Sequence, residues 1–439
     1  MTTVSIPGQQ SDLRTVERTQ WPTATRPAFR FSFAYLGLFC LWFAQITFVF
    51  TGIAGQLFGD QAIMWQMVTL EPVTSWVGRH VLGVNSVIHQ DSGSGDQAAV
   101  WVGVFCVLVV AVIATVIWSV LDRRRAEYSR LSAWFLVFLR LCLGGQMLWY
   151  GIAKVIPTQM PSPPLTALLQ PYGNFSPASV LWLQVGSSHP YEIMLGAAEV
   201  AGGLLLFLPR TATLGALVSM LCMAQVFILN MSFDVPVKIL SFHLLLMSLV
   251  LLAPQIRRLA NVLVLERPSE PASQPQLFVT PRANRTAAVV QALLGIWVLI
   301  GCVQVGWQSW YEFGDGRAKP ELYGIWSVTD FTVDGKHVPP LTTDENRWQH
   351  LVFDQQATVT YQRMDGELVP APAEIDSAAI KLPELDATFT FVRPQDDQLR
   401  LTGRLKGQSA TISLERVDLN SFTLRNRGFN WVQEYPYFR

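Results

Sequence analysis

The chain has 439 residues, half of them hydrophobic and 15% charged, and its 32 basic residues match its 32 acidic ones. That composition selects a membrane class and leaves no basic patch of the kind nucleic acid requires. The zero net charge hides an asymmetry: charges are sparse from Phe31 to Trp307 and dense after Glu312, so a membrane part precedes a soluble part.

In chain order, residues 1–30 form a polar tail, and no small-residue cleavage site follows the apolar run behind it. This start reads as a tail and an uncleaved anchor. Seven stretches reach the roughly 20 apolar residues that a crossing helix needs, near 31–54, 98–121, 131–156, 192–209, 211–231, 237–255 and 286–307. The fourth and fifth meet at Pro209-Arg210-Thr211, which predicts a tight helical hairpin.

One set of connections carries Arg14, Arg18, Arg26, Arg30, Arg123, Arg124, Arg125, Arg130, Arg210, Arg257, Arg258, Arg267, Arg282 and Arg285; the opposite set carries Arg79 and Lys238. Basic residues concentrate on cytoplasmic loops. The N-terminus is therefore expected in the cytoplasm and the C-terminal domain outside it.

Two outer segments differ from ordinary loops. Residues 55–97, with Trp65, Met67 and Trp76, predict an interfacial helix before the turn-rich Asp91-Ser-Gly-Ser-Gly-Asp96. Residues 155–191 hold no Asp, Glu, Lys or Arg but seven prolines. A water-exposed loop normally carries charge, so this one is expected to fold back onto the membrane or to cap the bundle. Within it Ser176-Pro177 fits a helix start.

A Pro/Ser-rich stretch from Glu266 to Pro281 marks a linker before the last helix. From Leu322 on the pattern alternates, with Asp334-Gly335, Asp365-Gly366 and Lys406-Gly407 as turns, which predicts a small antiparallel barrel. The expected fold class is a mainly α membrane protein, a seven-helix transmembrane bundle, plus a small all-β barrel. Its parts are a cytoplasmic tail over 1–30, a six-helix domain over 31–260, a cytoplasmic linker over 261–285, a seventh helix over 286–310 and an extracytoplasmic barrel over 318–439.

Charges within the apolar spans are the candidate site. In the third span Arg140, Gly144, Met147, Gly151 and Lys154 follow a 4-3-4-3 spacing, and Glu192, Gly196, Glu199 and Gly203 repeat it in the fourth. That spacing makes one stripe on each helix, and glycine stripes let membrane helices approach closely. Lys154 lies about 5 Å inside the outer end and Glu199 about 12 Å inside it at 1.5 Å per residue, a difference a lysine stem spans.

The pair is thus either structural glue or a buried acid beside an amine, suited to a polar head group or proton relay. Arg140 lies nearer the cytoplasm and is expected to snorkel or bond carbonyls. His243 is either a hydrogen-bonded packing residue or a ligand at the depth of Glu199. The candidate ligand-binding set is Lys154, Glu199, His243, Arg140 and Tyr150. His80, His89, Asp91 and Asp96 match no metal spacing, so no metal site is expected. Cys40, Cys106, Cys142, Cys222 and Cys302 lie in different spans without CxxC or CxxCH, which indicates neither a thiol pair nor covalent haem.

Arg140 with Gly144 and Gly151-Ile-Ala-Lys154, then Gly196-Ala-Ala-Glu199 and Gly202-Gly203, resemble the DoxX family of bacterial membrane proteins over roughly residues 130–260. The resemblance implies a four-helix core in the bundle and residence in the bacterial inner membrane. It also implies a link to quinone-dependent redox systems, since some members are subunits of thiosulfate:quinone oxidoreductase. With no cofactor motif in the chain, electron transfer would need a redox partner subunit; quinone or lipid is the implied ligand. The chain departs from the family in two added N-terminal spans, the uncharged loop and the outer domain.

Gly324-Ile-Trp326 on the first strand is similar to lipocalin-like barrels, which bury that Trp against a late Arg, here Arg425 or Arg427. Such a barrel holds at most one small ligand, or is packed solid. The closing aromatic run from Arg427 is expected on the barrel, on the membrane or against a partner. Two functions follow as expectations: a DoxX-like accessory protein of a membrane redox system binding an apolar molecule near Lys154, Glu199 and His243, or a non-enzymatic scaffold or lipid-handling protein whose barrel binds a periplasmic partner or an apolar ligand.

Overall fold

The computed structural model describes residues 21–58, 60–269, 276–376 and 378–438. Arg14, Arg18 and the 270–275 part of the linker lie outside the described residues. The chain is mainly helical and ends in a nearly closed antiparallel β-barrel. Among the described residues six helices are long and apolar enough to cross a membrane, or seven if one bent pair is a single span. That is the build of a multi-pass membrane protein. The chain divides into two compact units, residues up to Gln146 with Gly202–Ala224 and Pro236–Val298, and Met147–Ala201 with Gln225–Val235 and Leu299 onward.

In the first unit α1 (Thr25–Trp42) breaks at Phe43 (φ −77°, ψ 88°) and resumes as α2 (Ala44–Phe48) and a 3-10 run over Val49–Leu57. The two halves meet at 78°, so the single crossing expected over 31–54 is sharply bent. Trp297 holds the second half. At Gly52 φ is +56° and a β-carbon would stand 2.4 Å from Trp297 Nε1, while that indole N–H donates to the Phe50 carbonyl at 3.1 Å. Only glycine permits both the left-handed backbone and the ring's approach.

The interfacial segment forms α3 (Trp65–Thr69) and α4 (Glu71–Val77), with Trp65 and Trp76 exposed. Next come α5 (Ala98–Leu121), α6 (Ser129–Val155), α7 (Pro177–Gly186) and α8 (His189–Phe207). After the 3-10 turn Pro209–Thr211 run α9 (Ala212–Ser232), α10 (Lys238–Leu252), α11 (Ile256–Leu263) and α12 (Pro281–Glu312). Asp96 caps α10, its two carboxylate oxygens accepting from the Lys238 and Ile239 amides at 2.8 and 2.9 Å. Helix N-termini have spare N–H groups that lipid cannot satisfy, which gives this acid its use.

In the second unit the uncharged loop is a clamp on the barrel. Leu165 is fully buried against Ile325 and Val352, and its amide donates to Asp354 Oδ2 at 2.9 Å. Farther along, Ser176 caps α7 by accepting from the Ser179 amide at 3.1 Å, with Pro177 in the first turn. Trp182 Nε1 donates to the Gln159 carbonyl at 3.0 Å. Met160, Leu165, Leu181 and Val185 of this uncharged segment are buried against protein, whereas Tyr172 is exposed.

The barrel comprises β1 (Gly324–Val333), β2 (Lys336–His337), β3 (Trp348–Gln355), β4 (Thr358–Arg363), β5 (Leu368–Pro372), β6 (Glu374–Ile375), β7 (Ala379–Leu382), β8 (Ala387–Gln395), β9 (Gln398–Leu405) and β10 (Gln408–Arg416). The order is β5-β4-β3-β1-β10-β9-β8-β7-β6, with β2 beside β1. Asp334-Gly335 and Lys406-Gly407 have positive φ at both residues (47° and 75°, 52° and 79°), as two-residue hairpins of matching twist require. Trp348 meets Phe331, Tyr361 and Phe389 at 6.0, 5.4 and 6.1 Å between ring centroids. Together with Trp326, Phe353 and Ile412, these side chains give the packed interior rather than a ligand chamber.

Two details differ from expectation. The arginine beside Gly324-Ile-Trp326 is Arg416, paired with Trp326 across β1 and β10 and donating to the Tyr323 carbonyl at 3.0 Å. Arg425, on the short α13 (Thr423–Asn426), and Arg427 are both exposed. The final aromatic run does not pack on the barrel: Trp431 and Phe438 are 90% and 91% exposed.

Replacing Asp354 by Ala strands the Leu165 amide and the Arg317 guanidinium, which bonds the same carboxylate at 2.6 Å. A loss of about 3 kcal/mol is expected, read as faster proteolysis of the 157–176 loop and a lower Tm. His350 on β3 donates Nδ1–H to Gln362 Oε1 at 2.7 Å, and burial pulls its pKa below the ordinary imidazole value. The unfolded chain therefore binds that proton more readily, so this contribution is complete above about pH 6.5 and is lost as the pH falls below it. His350→Gln should show a smaller drop in Tm between about pH 7.5 and pH 5 than the parent.

Candidate functional site

The site begins with two glycines. A β-carbon at Gly196 would lie 2.6 Å from the Gly151 carbonyl, and one at Gly151 would lie 2.8 Å from the Val200 amide. Backbones of α6 and α8 therefore touch, as the two stripes predict. That approach brings Lys154 Nζ to 2.7 Å from Glu199 Oε2, with both side chains buried. The Tyr150 ring centroid is 5.9 Å from the same ammonium, at the outer limit of a cation–π contact. Lys154, Glu199 and Tyr150 thus share one place.

Glu192, two turns before Glu199, is fully buried. Its Oε1 accepts from the Met160 amide at 3.1 Å, while Oε2 has no hydrogen-bond partner. It also feels the charges of Lys154 and Asp315. Sequence spacing put Glu192 on the stripe but gave no reason to count it among ligand candidates; its partner, a backbone amide of the loop, is invisible to periodicity. Glu199 pairs with the ammonium directly and Glu192 feels its charge, an arrangement that can hold a hydroxyl or carbonyl head group or pass a proton.

Beyond the start of α8 lies a charged collar. Ser162 Oγ donates to Asp315 Oδ2 at 2.6 Å and is 3.1 Å from His189 Nε2, itself 3.0 Å from the same carboxylate oxygen. Asp315 continues through Arg317 (4.0 Å) to Asp354 (2.6 Å). A hydrolytic triad needs the serine and the acid on opposite imidazole nitrogens; here both meet Nε2. The cluster is a joint between loop, helix and barrel.

His243 and Arg140 have partners of their own in the first unit. His243 Nδ1 lies 2.7 Å from the Ile239 carbonyl and Nε2 lies 2.8 Å from Tyr35 Oη. Since a carbonyl only accepts, Nδ1 carries the proton and Nε2 accepts from the tyrosine. The ring also stacks on Phe39 at 3.7 Å. Both nitrogens being occupied, His243 has the geometry of a packing residue. Arg140 does not snorkel: it is buried and donates to the side-chain oxygen of Gln291.

Cys40 of α1 lies beside Cys142 of α6, which no spacing rule links to it, and its thiol donates to Met247 Sδ at 3.7 Å. None of the five cysteines is in a disulfide. Among the described residues no three His, Cys, Asp or Glu side chains are grouped to hold a metal ion.

The chain is 31% identical over 148 residues to the uncharacterised protein YwoB of Bacillus subtilis (strain 168), a match that spans 32% of this chain and 86% of that protein. The chain belongs to the family of that protein through this third of its length. No family model matches the chain, and no solved structure matches it.

Substituting Glu199 by Ala leaves the Lys154 ammonium buried without its counter-charge, for an expected loss of about 3–5 kcal/mol. The double change Lys154→Met with Glu199→Met removes both charges and should recover most of that loss. Unfolding in detergent, followed by circular dichroism, reads both. Equal destabilisation by the single and double changes would show that the loss does not come from a stranded charge.

Proposed function

We propose that this YwoB-related chain is an accessory protein of a membrane redox system, resembling DoxX, that binds an apolar molecule by its polar head beside Lys154, Glu199 and Glu192. In this reading the protein sits in the bacterial cytoplasmic membrane with its N-terminus inside and its barrel outside. The arginine-rich connections between spans support that orientation. The observation that carries the ligand reading is the unbonded Oε2 of fully buried Glu192, on the same helix as the Glu199 that Lys154 already pairs. Helix glue alone needs one acid and one amine; a second buried acid with an open acceptor is left over for something else.

A quinol hydroxyl or quinone carbonyl has the polarity to meet such a seam, with Tyr150 alongside. Electron transfer would then belong to a partner subunit. The second reading, a scaffold whose lipocalin-like outer domain engages a periplasmic partner, draws support from the exposed Phe429, Trp431, Tyr435 and Phe438, since aromatic residues favour interfaces.

Mass spectrometry of solvent extracts of the full-length purified protein tests the first reading. A co-purifying quinone is expected with the parent chain, at least about tenfold less with Glu192→Gln, the factor set by one charge-assisted hydrogen bond. Equal quinone retention by a folded Glu192→Gln protein, or no quinone in the parent, removes the first reading.

A further inference from the structure

Arg140 presents a second and different problem of buried charge. Its side chain is 6% exposed in the middle of α6. One guanidinium amino group donates to Gln291, whereas Nε has no partner. Among the described residues no carboxylate pairs with it. A guanidinium offers five N–H donors and a full charge, and leaving either unmatched in apolar surroundings is costly.

The group borders a cavity of about 420 Å³ formed by α6, the Pro209–Thr211 turn with the start of α9, the end of α10 and the start of α12. That volume lies in the usual range for small-molecule sites. Leu136, Val137, Leu251 and Ala288 supply apolar wall, with Gln291 and Asn284 as polar points. Arg210, Arg257, Arg282 and Arg285 stand within three residues of lining positions Pro209, Gln255, Pro281 and Asn284. A basic margin of this kind concentrates anions and anionic lipid head groups.

We propose that this cavity binds the anionic phosphate of an amphiphile, with Arg140 as counter-ion and the apolar wall against the adjoining hydrocarbon. The shared chemistry is an oxyanion; a phospholipid and free phosphate are its two sources, and the apolar wall favours the lipid. This site uses none of the residues of the quinone reading, so either can fail alone.

Native mass spectrometry of the full-length protein in detergent, titrated with phosphatidylglycerol, with phosphatidylcholine of the same chains and with inorganic phosphate, tests it. The parent chain is expected to prefer phosphatidylglycerol at least about tenfold, and Arg140→Gln to lose that preference, as the loss of charge-assisted hydrogen bonds predicts. Ala288→Phe, which fills the cavity and keeps the arginine, should lose it too and decides the matter if Arg140→Gln fails to fold. Competition by inorganic phosphate that depends on Arg140 would assign the free oxyanion as the source and uphold the site. Equal binding of the two lipids by the parent overturns the proposal, as does unchanged preference in folded Arg140→Gln or in Ala288→Phe.

Discussion

An ammonium and a carboxylate survive inside an apolar helix pair only if they meet, and here they meet because two glycines let the backbones touch. Any side chain at Gly151 or Gly196 would push α6 and α8 apart, and the separation would break a 2.7 Å ion pair into two unpaired charges. Desolvation makes such a pair poor evidence of net stability, but it makes register exacting. The first turn of α8 then holds Glu192 against the Met160 amide, and the residue that opens α8, His189, joins Ser162 and Asp315. From Asp315 the chain of charges runs through Arg317 to Asp354 on the barrel. A contact between two glycines thus sets the geometry of polar groups as far as β3.

The two unusual cations on α6 resolve their charge differently. Lys154 has a carboxylate and an aromatic face. Arg140 has one side-chain amide and empty space. His243, which from sequence alone looked comparable, has both nitrogens bonded and a ring beneath it. Ionisable residues in a membrane span are functional suspects by default. The useful distinction is whether the surrounding protein has already supplied what each group lacks.

Local periodicity carried much of this fold. The glycine stripes, the Pro209 turn, the Ser176-Pro177 helix start and the Asp334-Gly335 hairpin are all short-range patterns, and each appears where its spacing put it. What was not legible joins distant segments. The break at Phe43 has no Pro or Gly; the loop residue Leu165 finds Val352; Cys40 lies beside Cys142; and Arg416, not a later arginine, lies beside Gly324. Within the candidate site the Lys154–Glu199 pair was readable because a helix stripe and a depth suffice to predict it. The open oxygen of Glu192 was not, because its environment is a loop backbone.

The bend after Phe43 constrains residue 297 as well. Where a helix turns aside in hydrocarbon, a carbonyl loses its usual amide, and lipid offers no replacement donor. The Trp297 indole supplies one to Phe50 while its ring rests on Gly52. Bulk and polarity are therefore demanded of the same side chain: phenylalanine there would cover the kink but leave the oxygen bare, and a small polar residue would do the reverse.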